Sequence, residues 1–283
     1  EKVSDLDHNL LSLEVELDDD LAAMFRLRLV TEDGILTYLD DERFLIWNQV
    51  TIYAGFESGM EELIAGYITH VKPDFGVEPS ESTLEIWGMD GSVLMDREEK
   101  LKDWHYKKDS DIAAEIFDLY GFTPEVENTE VVHDEAISTI IQRETDIQFL
   151  RRLALRNGFE CYVEGEAGYF RSMPVDATPQ PILVLHDEDH RNVNRFSVEV
   201  NALTPANVTM FQVDRFNKQV LKAAAESNQQ AILGGKDAKS LLAAGMNPGQ
   251  VYIGMSPATG NPEMTAICQK LFHESEWFVT GEG

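Results

Sequence analysis

The 283-residue chain carries 51 Asp and Glu against 23 Lys and Arg, a formal net charge of −28 spread over its whole length. Nucleic-acid binding needs a basic surface that displaces counterions from phosphate, and an anionic bilayer likewise attracts basic faces, so the balance argues against direct nucleic-acid binding and against membrane docking. No apolar run approaches the ~18 residues of a membrane helix, and the length suits two compact units or one large β-rich one.

The acidic excess has two readings: a solvated surface, or a face or channel that must not adhere to what passes it. Cys161 and Cys268 lie far apart and in no metal-ligand spacing. They support neither a disulfide framework nor a zinc site, which points to a reducing compartment. The chain opens at Glu1 rather than at a methionine, so its start says nothing about targeting.

The first hundred residues read as β. Leu11, Leu13, Val15 and Leu17 alternate with Ser12, Glu14 and Glu16, the period of a half-buried strand. Phe25, Leu27 and Leu29 repeat that pattern against Arg26 and Arg28. Further strands are expected over Gln49 to Phe56, Leu63 to Lys72 and Ser82 to Gly88. Short strands separated by Gly, Pro and acidic turns predict a sandwich or barrel.

The pattern changes near Asp109. Asp109 or Ser110 can cap a helix that places Ala113, Ile116, Phe117 and Tyr120 on one face and stops at Gly121. A second helix begins at Thr145, where Thr145 and Gln148 fit a capping box. Ile147, Leu150, Leu153 and Ala154 form its apolar stripe, and Asn157-Gly158 is a left-handed stop. Strands follow at Phe159 to Glu164 and Tyr169 to Ser172, giving a small α+β unit.

Pro174, Pro179 and Pro181 mark a boundary, after which Pro181 to Leu185, Val193 to Val200 and Val208 to Val213 read as strands. An alanine-rich polar stretch runs from Lys218 to Gln230, and Gly234-Gly235 marks a loop. Asn261-Pro262 starts a last helix with Ile267, Cys268 and Leu271 inward. Three regions result: residues 1–104 and 179–283 as β regions, and residues 105–178 as the α+β domain between them. The chain stops at Gly281-Glu282-Gly283 in mid-domain, so the last β region looks incomplete at its C-terminal end.

Chemistry is sparse. Phosphate loops, nucleophile elbows, dinucleotide fingerprints and zinc-protease helices are absent from the sequence. His186-Asp187-Glu188-Asp189-His190 comes nearest to a metal cluster, but alternate residues of an extended chain face opposite ways, so an acidic turn is the simpler reading. His70, His105, His133 and His273 stand singly and read as surface or satisfied core residues. Trp47 and Trp87 read as strand residues of the core, while Trp104 and Trp277 close amphipathic segments. No catalytic, cofactor-binding or metal-ligating residue is assigned.

Four segments, in order along the chain, carry a resemblance. Gly66-Tyr67-Ile68-Thr69 is followed by Leu84-Glu85-Ile86-Trp87-Gly88-Met89-Asp90 and then Leu94-Met95-Asp96. Asp109-Ser110-Asp111-Ile112-Ala113 leads to Tyr120-Gly121-Phe122. Ile141-Gln142-Arg143-Glu144-Thr145-Asp146-Ile147-Gln148-Phe149-Leu150-Arg151-Arg152-Leu153-Ala154 continues through Arg156-Asn157-Gly158-Phe159. Thr280-Gly281-Glu282-Gly283 resembles a point where relatives continue into a further hairpin. Together they resemble the phage late control protein D family, whose fold also forms the N-terminal hub of VgrG spikes.

That resemblance implies a mainly β chain, α+β overall, with two tube-protein-like β-barrels and an intervening small α+β domain. It implies a non-enzymatic baseplate hub of a contractile injection system, a homotrimer joining a hexameric inner tube to a trimeric spike. The implied partners are inner tube or tube-initiator proteins, a spike tip protein or C-terminal spike domain, and baseplate wedge proteins. Assembly would occur in the bacterial cytoplasm, as part of a phage tail or tail-like particle, without a cofactor. A tail-associated cell-wall hydrolase and a cargo-loading adaptor that binds basic cargo are the alternative readings.

Overall fold

The structure is a computed structural model that describes residues 6–283 apart from 7, 19–20, 31–37, 39–40, 57–58, 79–80, 134–139, 175–181, 188–189, 202, 204–206, 215, 228–234, 237, 243–248 and 254–257. The chain is mainly β, with a curled half-barrel sheet at its start. Among the described residues, no helix is long and apolar enough to cross a membrane.

The first sheet contains β1 (Leu10–Glu16), β2 (Met24–Val30), β3 (Gln49–Phe56), β4 (Gly59–Asp74) and β5 (Thr83–Asp90), ordered β1-β2-β5-β4-β3 with antiparallel neighbours. The long β4 pairs with β3 through its first half and with β5 through its second, from Gly66 opposite Asp90 to Asp74 opposite Thr83. Register shifts leave two extra residues on β4: Leu63, between the partners of Tyr53 and Ile52, and Thr69, between the partners of Gly88 and Trp87. Such bulges bend and twist a strand, consistent with the curl. Phe25, Leu29, Ile52, Ile64, Ile68 and Ile86 fill the concave side.

The alternation expected of the first strand holds only in part. Leu13 and Val15 pack on that core, but Leu11 and Leu17 are exposed. A register shift lies between Leu10, opposite Leu29, and Ser12, opposite Arg28, which leaves Leu11 as the extra residue. Leu17 lies past the strand's end.

A 3-10 turn (Gly91–Asp96) leads into β6 (Lys100–Trp104), α1 (Asp109–Leu119), β7 (Thr123–Val126), β8 (Ile140–Glu144), α2 (Asp146–Asn157), β9 (Phe159–Glu164) and β10 (Ala167–Ser172). β9 and β10 form an antiparallel hairpin, β7 runs parallel to β10, and β6 pairs with β8. α1 buries Ile112, Ala113, Ile116 and Phe117; α2 buries Ile147, Phe149, Leu150, Leu153 and Ala154 in the same core. Gly158 ends α2 at φ 74°, where its N–H reaches the carbonyl of Ala154. This is the left-handed cap that a Cβ would strain.

The tryptophans depart from expectation. Trp104 is the one in the core of this unit, while Trp47 sits in a turn at φ 73° with the Arg97 guanidinium 4.5 Å from its ring centroid. Trp87 lies in β5 but only half-buried, beneath Arg26 at 5.2 Å. Stacking with an arginine satisfies both rings without full burial.

The last region contains β11 (Ser197–Val200), β12 (Asn207–Val213), β13 (Val220–Ala225), a short helix α3 (Ala238–Leu242), β14 (Gln250–Ile253), α4 (Asn261–Ser275) and β15 (Val279–Glu282). β13, β12 and β14 form one sheet, with β14 parallel to β12, and β11 pairs with β15. α4 packs Met264, Ile267, Cys268 and Phe272 against Val208, Met210, Ala223 and Ala225.

The strand expected over Pro181 to Leu185 does not form; Pro181 itself, like Pro179 and Gly234, lies outside the described residues. Instead the Asn192 side chain accepts from Val184 N at 2.7 Å and donates to Ile182 O at 2.9 Å. One amide thereby takes the place of a ladder. The strand expected from Val193 begins only at Ser197.

Candidate functional site

The segment around Thr145 concentrates the polar groups, and the fold turns it into a junction. Asp146, the first residue of α2, is 1% exposed and receives hydrogen bonds from three elements. Tyr120 Oη, after α1, donates to Oδ2 at 2.7 Å, and Gln142 Nε2, on β8, donates to Oδ1 at 2.6 Å. Lys100 Nζ, on β6, forms an ion pair with the same carboxylate. Gln142 in turn accepts from Trp104 Nε1 at 3.2 Å. Burial, then the Asp146 charge beside it, pushes the Tyr120 hydroxyl up, so it remains a donor at neutral pH. Burial opposes the charge on Lys100, but Asp146 outweighs it and the ammonium is held charged.

The capping box expected at Thr145 is not made. Thr145 occupies the N-cap position without a side-chain cap bond. Its Oγ1 donates to Asp96 Oδ1 at 2.6 Å, and Gln148 Nε2 donates to the same oxygen at 3.1 Å. A carboxylate from the 3-10 turn outcompetes the local cap and ties α2 to the end of the first sheet. On the outer face of α2, Arg152 Nε donates to Glu144 Oε1 at 2.7 Å and its Nη2 to Ile141 O at 3.0 Å.

A second buried set joins the last region to this unit. His133 Nε2 lies 2.7 Å from Asp109 Oδ1, Asn157 Nδ2 donates to Asp109 Oδ2 at 2.7 Å, and Thr259 Oγ1 lies 3.4 Å from His133 Nδ1. Burial alone would raise the Asp109 carboxyl, but His133, Arg156 and Asn157 together hold it below the usual carboxylate range. Arg156 forms an ion pair with Glu263 of α4, whose other oxygen accepts from Thr259 N at 2.6 Å. A histidine–aspartate pair resembles the base and orienter of a hydrolase. Here both nitrogens face protein groups, and the ring is 1% exposed, which suits a brace.

The other histidines do not converge. His70 lies 3.1 Å from Thr69 Oγ1 on an exposed face, and His105 pairs with Asp103 at 2.6 Å. His273 stacks edge-on against Trp277, and burial pulls its pKa down. Of the acidic run, His190 Nδ1 lies 3.0 Å from Asp187 Oδ2 in an exposed turn; Glu188 and Asp189 lie outside the described residues. Among the described residues, no three His, Cys, Asp or Glu gather as a metal site. Cys161 and Cys268 are free and buried, and burial pushes the Cys161 thiol up to about 12. The Thr145 helix is marked in the sequence but the partners of Asp146 are not: Lys100 and Tyr120 lie 46 and 26 residues away, and Gln142, four residues earlier, sits on β8 rather than in the helix whose periodicity would reveal it.

This succession of curled sheet, braced α+β unit and second β region is the fold of phage tail proteins. It is similar to the 43 kDa tail protein of prophage MuSo2 from Shewanella oneidensis over 92% of this chain and 73% of that one, with 14% identity and a TM-score of 0.59. The tail protein from Neisseria meningitidis MC58 matches over 92% and 69% at 14% identity, TM-score 0.58. Prophage tail protein gp18 from Listeria monocytogenes EGD-e matches over 99% and 76% at 10% identity, TM-score 0.54. Identities this low establish likeness of fold alone. By sequence, the chain belongs to the Alg8 N-terminal domain family, whose family model matches residues 31–270. No curated protein matches the chain.

Proposed function

We propose that this chain is a structural, non-enzymatic subunit of a phage tail or tail-like contractile particle, working as the baseplate hub between inner tube and spike. The observation that carries the reading is the course of the chain: nine-tenths of it follows the fold of two phage tail proteins. The ordered segments similar to late control protein D and VgrG hubs support the finer placement, because they fall on the elements that build the junction around Asp146.

In this reading three copies form a ring in which each contributes two tube-like β modules, so a threefold assembly offers six similar modules to a hexameric tube. Closing a ring by edge pairing removes exposed strand edges and stops open-ended growth. The first sheet leaves β1 and β3 at its edges for that purpose. The buried polar junctions fix the modules at set angles, which is what a part acting through shape requires. The acidic excess lets anionic cargo or nucleic acid slide past rather than bind.

Sedimentation equilibrium of the purified chain tests this. The expected species is three times the 31.9 kDa chain mass, alone or on mixing with tube protein. A strict monomer under both conditions overturns the ring.

A further inference from the structure

A groove of about 700 Å³ opens between the first sheet and the β9–β10 hairpin. Two strand segments border it. Glu62 to Ala65 of β4 lie beyond the end of β5, whose pairing stops at Gly66 opposite Asp90, so β3 alone pairs with that stretch. β9 is the outer strand of its own sheet, and among the described residues no strand lies beyond it.

The groove's lining is apolar and aromatic: Leu17, Leu63, Ile64 and Val163, with Tyr162 and Tyr169 stacked at 4.8 Å. Arg171 fixes the tyrosine pair, its Nη2 donating to Tyr162 Oη at 2.9 Å and its guanidinium 4.3 Å from the Tyr169 ring. The charged lining is Asp18, Glu62, Asp90, Glu160 and Glu164, with no basic side chain among the lining residues. Asp90 is already committed to the N–H groups of Ala23 at 2.6 Å and Ser92 at 2.7 Å. Glu62 Oε1 lies 3.8 Å from where a Cβ on Gly165 would stand, so it reaches the turn that follows Glu164. Two exposed carboxylates thus sit at one end of a tyrosine-lined trough between strand edges.

We propose that this groove docks an extended, lysine- or arginine-bearing segment of a partner polypeptide, laid as an added strand along the outer edge of β9. Main-chain hydrogen bonds to a free edge supply affinity, and the twofold side-chain period sends alternate residues to opposite sides. Tyr162 and Glu164 are two apart in β9 and share its face with Tyr169, so the same alternate residues of the segment meet both: lysine stems lie along the tyrosine pair while their ammonium groups face Glu62 and Glu164. The carboxylate rim sets the sign of the occupant: it repels an acidic strand and attracts a basic one.

The probe is a fluorescein-labelled ten-residue peptide in which lysine alternates with threonine and valine, titrated into the full chain and followed by fluorescence anisotropy. A glutamate-for-lysine counterpart serves as the acidic control. The lysine peptide binds, the acidic one does not, and raising salt from 50 to 300 mM weakens binding. The double substitution E62K/E164K lowers affinity tenfold or more, whereas E98K/E99K, an equal charge change at exposed positions away from the groove, alters it less than twofold. Hydrogen exchange on the wild-type complex slows at β9. Equal losses in both variants would mean general attraction to an acidic protein and overturn the proposal, as would absence of binding or unchanged exchange at β9. The hub reading does not depend on the groove, since sedimentation of the chain tests it separately.

Discussion

His133 Nε2 stands 2.7 Å from Asp109 Oδ1, with the two residues 24 positions apart in the chain and both almost wholly buried. The pair locks the start of α1 to the loop that follows β7, while Asn157 and Thr259 extend the lock to α2 and the approach to α4.

Removing the acceptor exposes how much rests on it. Asp109→Ala leaves a buried His133 and Asn157 without their partner and is expected to cost about 3–5 kcal/mol, read from urea denaturation. A loss below 1 kcal/mol would show that the pair is incidental.

Acid stability follows from the same carboxylate. Its folded pKa is depressed, so its contribution is fully present above the unfolded value, about 4, and is lost as pH falls through the folded value. The wild type should therefore lose stability below about pH 4 more steeply than Asp109→Asn, in unfolding curves taken from pH 6 to pH 2.5. Parallel curves would contradict the assignment.

The Asp146 junction predicts a graded series. Tyr120→Phe deletes one donor to a charged acceptor and should cost about 1.5–3 kcal/mol. Asp146→Ala leaves Lys100 without its counter-ion and Gln142 and Tyr120 without their acceptor, and should cost more, about 3–5 kcal/mol. The reverse order, measured by chemical denaturation, would refute the hierarchy.

Close packing makes a third point of failure. A Cβ on Gly168 would lie 2.3 Å from Phe117 Cδ1, where α1 meets β10. Gly168→Ala should cost about 1–3 kcal/mol, and Phe117→Leu in the same chain should recover part of that loss. Simple addition of the two single effects would show that the clash is relieved elsewhere.

Both thiols are buried, and Cys161 holds its proton up to about 12. A thiol-reactive chromogenic disulfide at pH 8 should leave the native protein unlabelled over minutes and label two thiols after unfolding. Prompt stoichiometric labelling of native protein would contradict the packing.

Where periodicity governs, the fold was legible in the sequence. The strand over Gln49 to Phe56, the helices beginning near Asp109 and at Thr145, and the stop at Asn157-Gly158 all form where the apolar spacing and turn residues place them. Legibility fails where long-range contacts decide. Val220–Ala225 is a strand because Ala223 and Ala225 are small enough for α4 to approach, with Cys268 Sγ 3.7 Å from Ala223 O, although alanine has little β preference. β6 and β14 were missed as strands for the same reason: each is defined by a distant partner, Ile140–Glu144 for one and Asn207–Met210 for the other. Thr145 abandons its local cap for Asp96, 49 residues earlier, which no window around the helix can reveal. The docking groove is equally invisible in sequence, since β4 and β9 form its walls from a hundred residues apart.

Cryo-electron microscopy of the assembled particle tests the central claim most directly, by counting and placing copies of this chain. The account predicts three copies in a ring where the inner tube meets the spike, each contributing two β modules to a sixfold-like face. Six copies along the tube, or none at that junction, would contradict it.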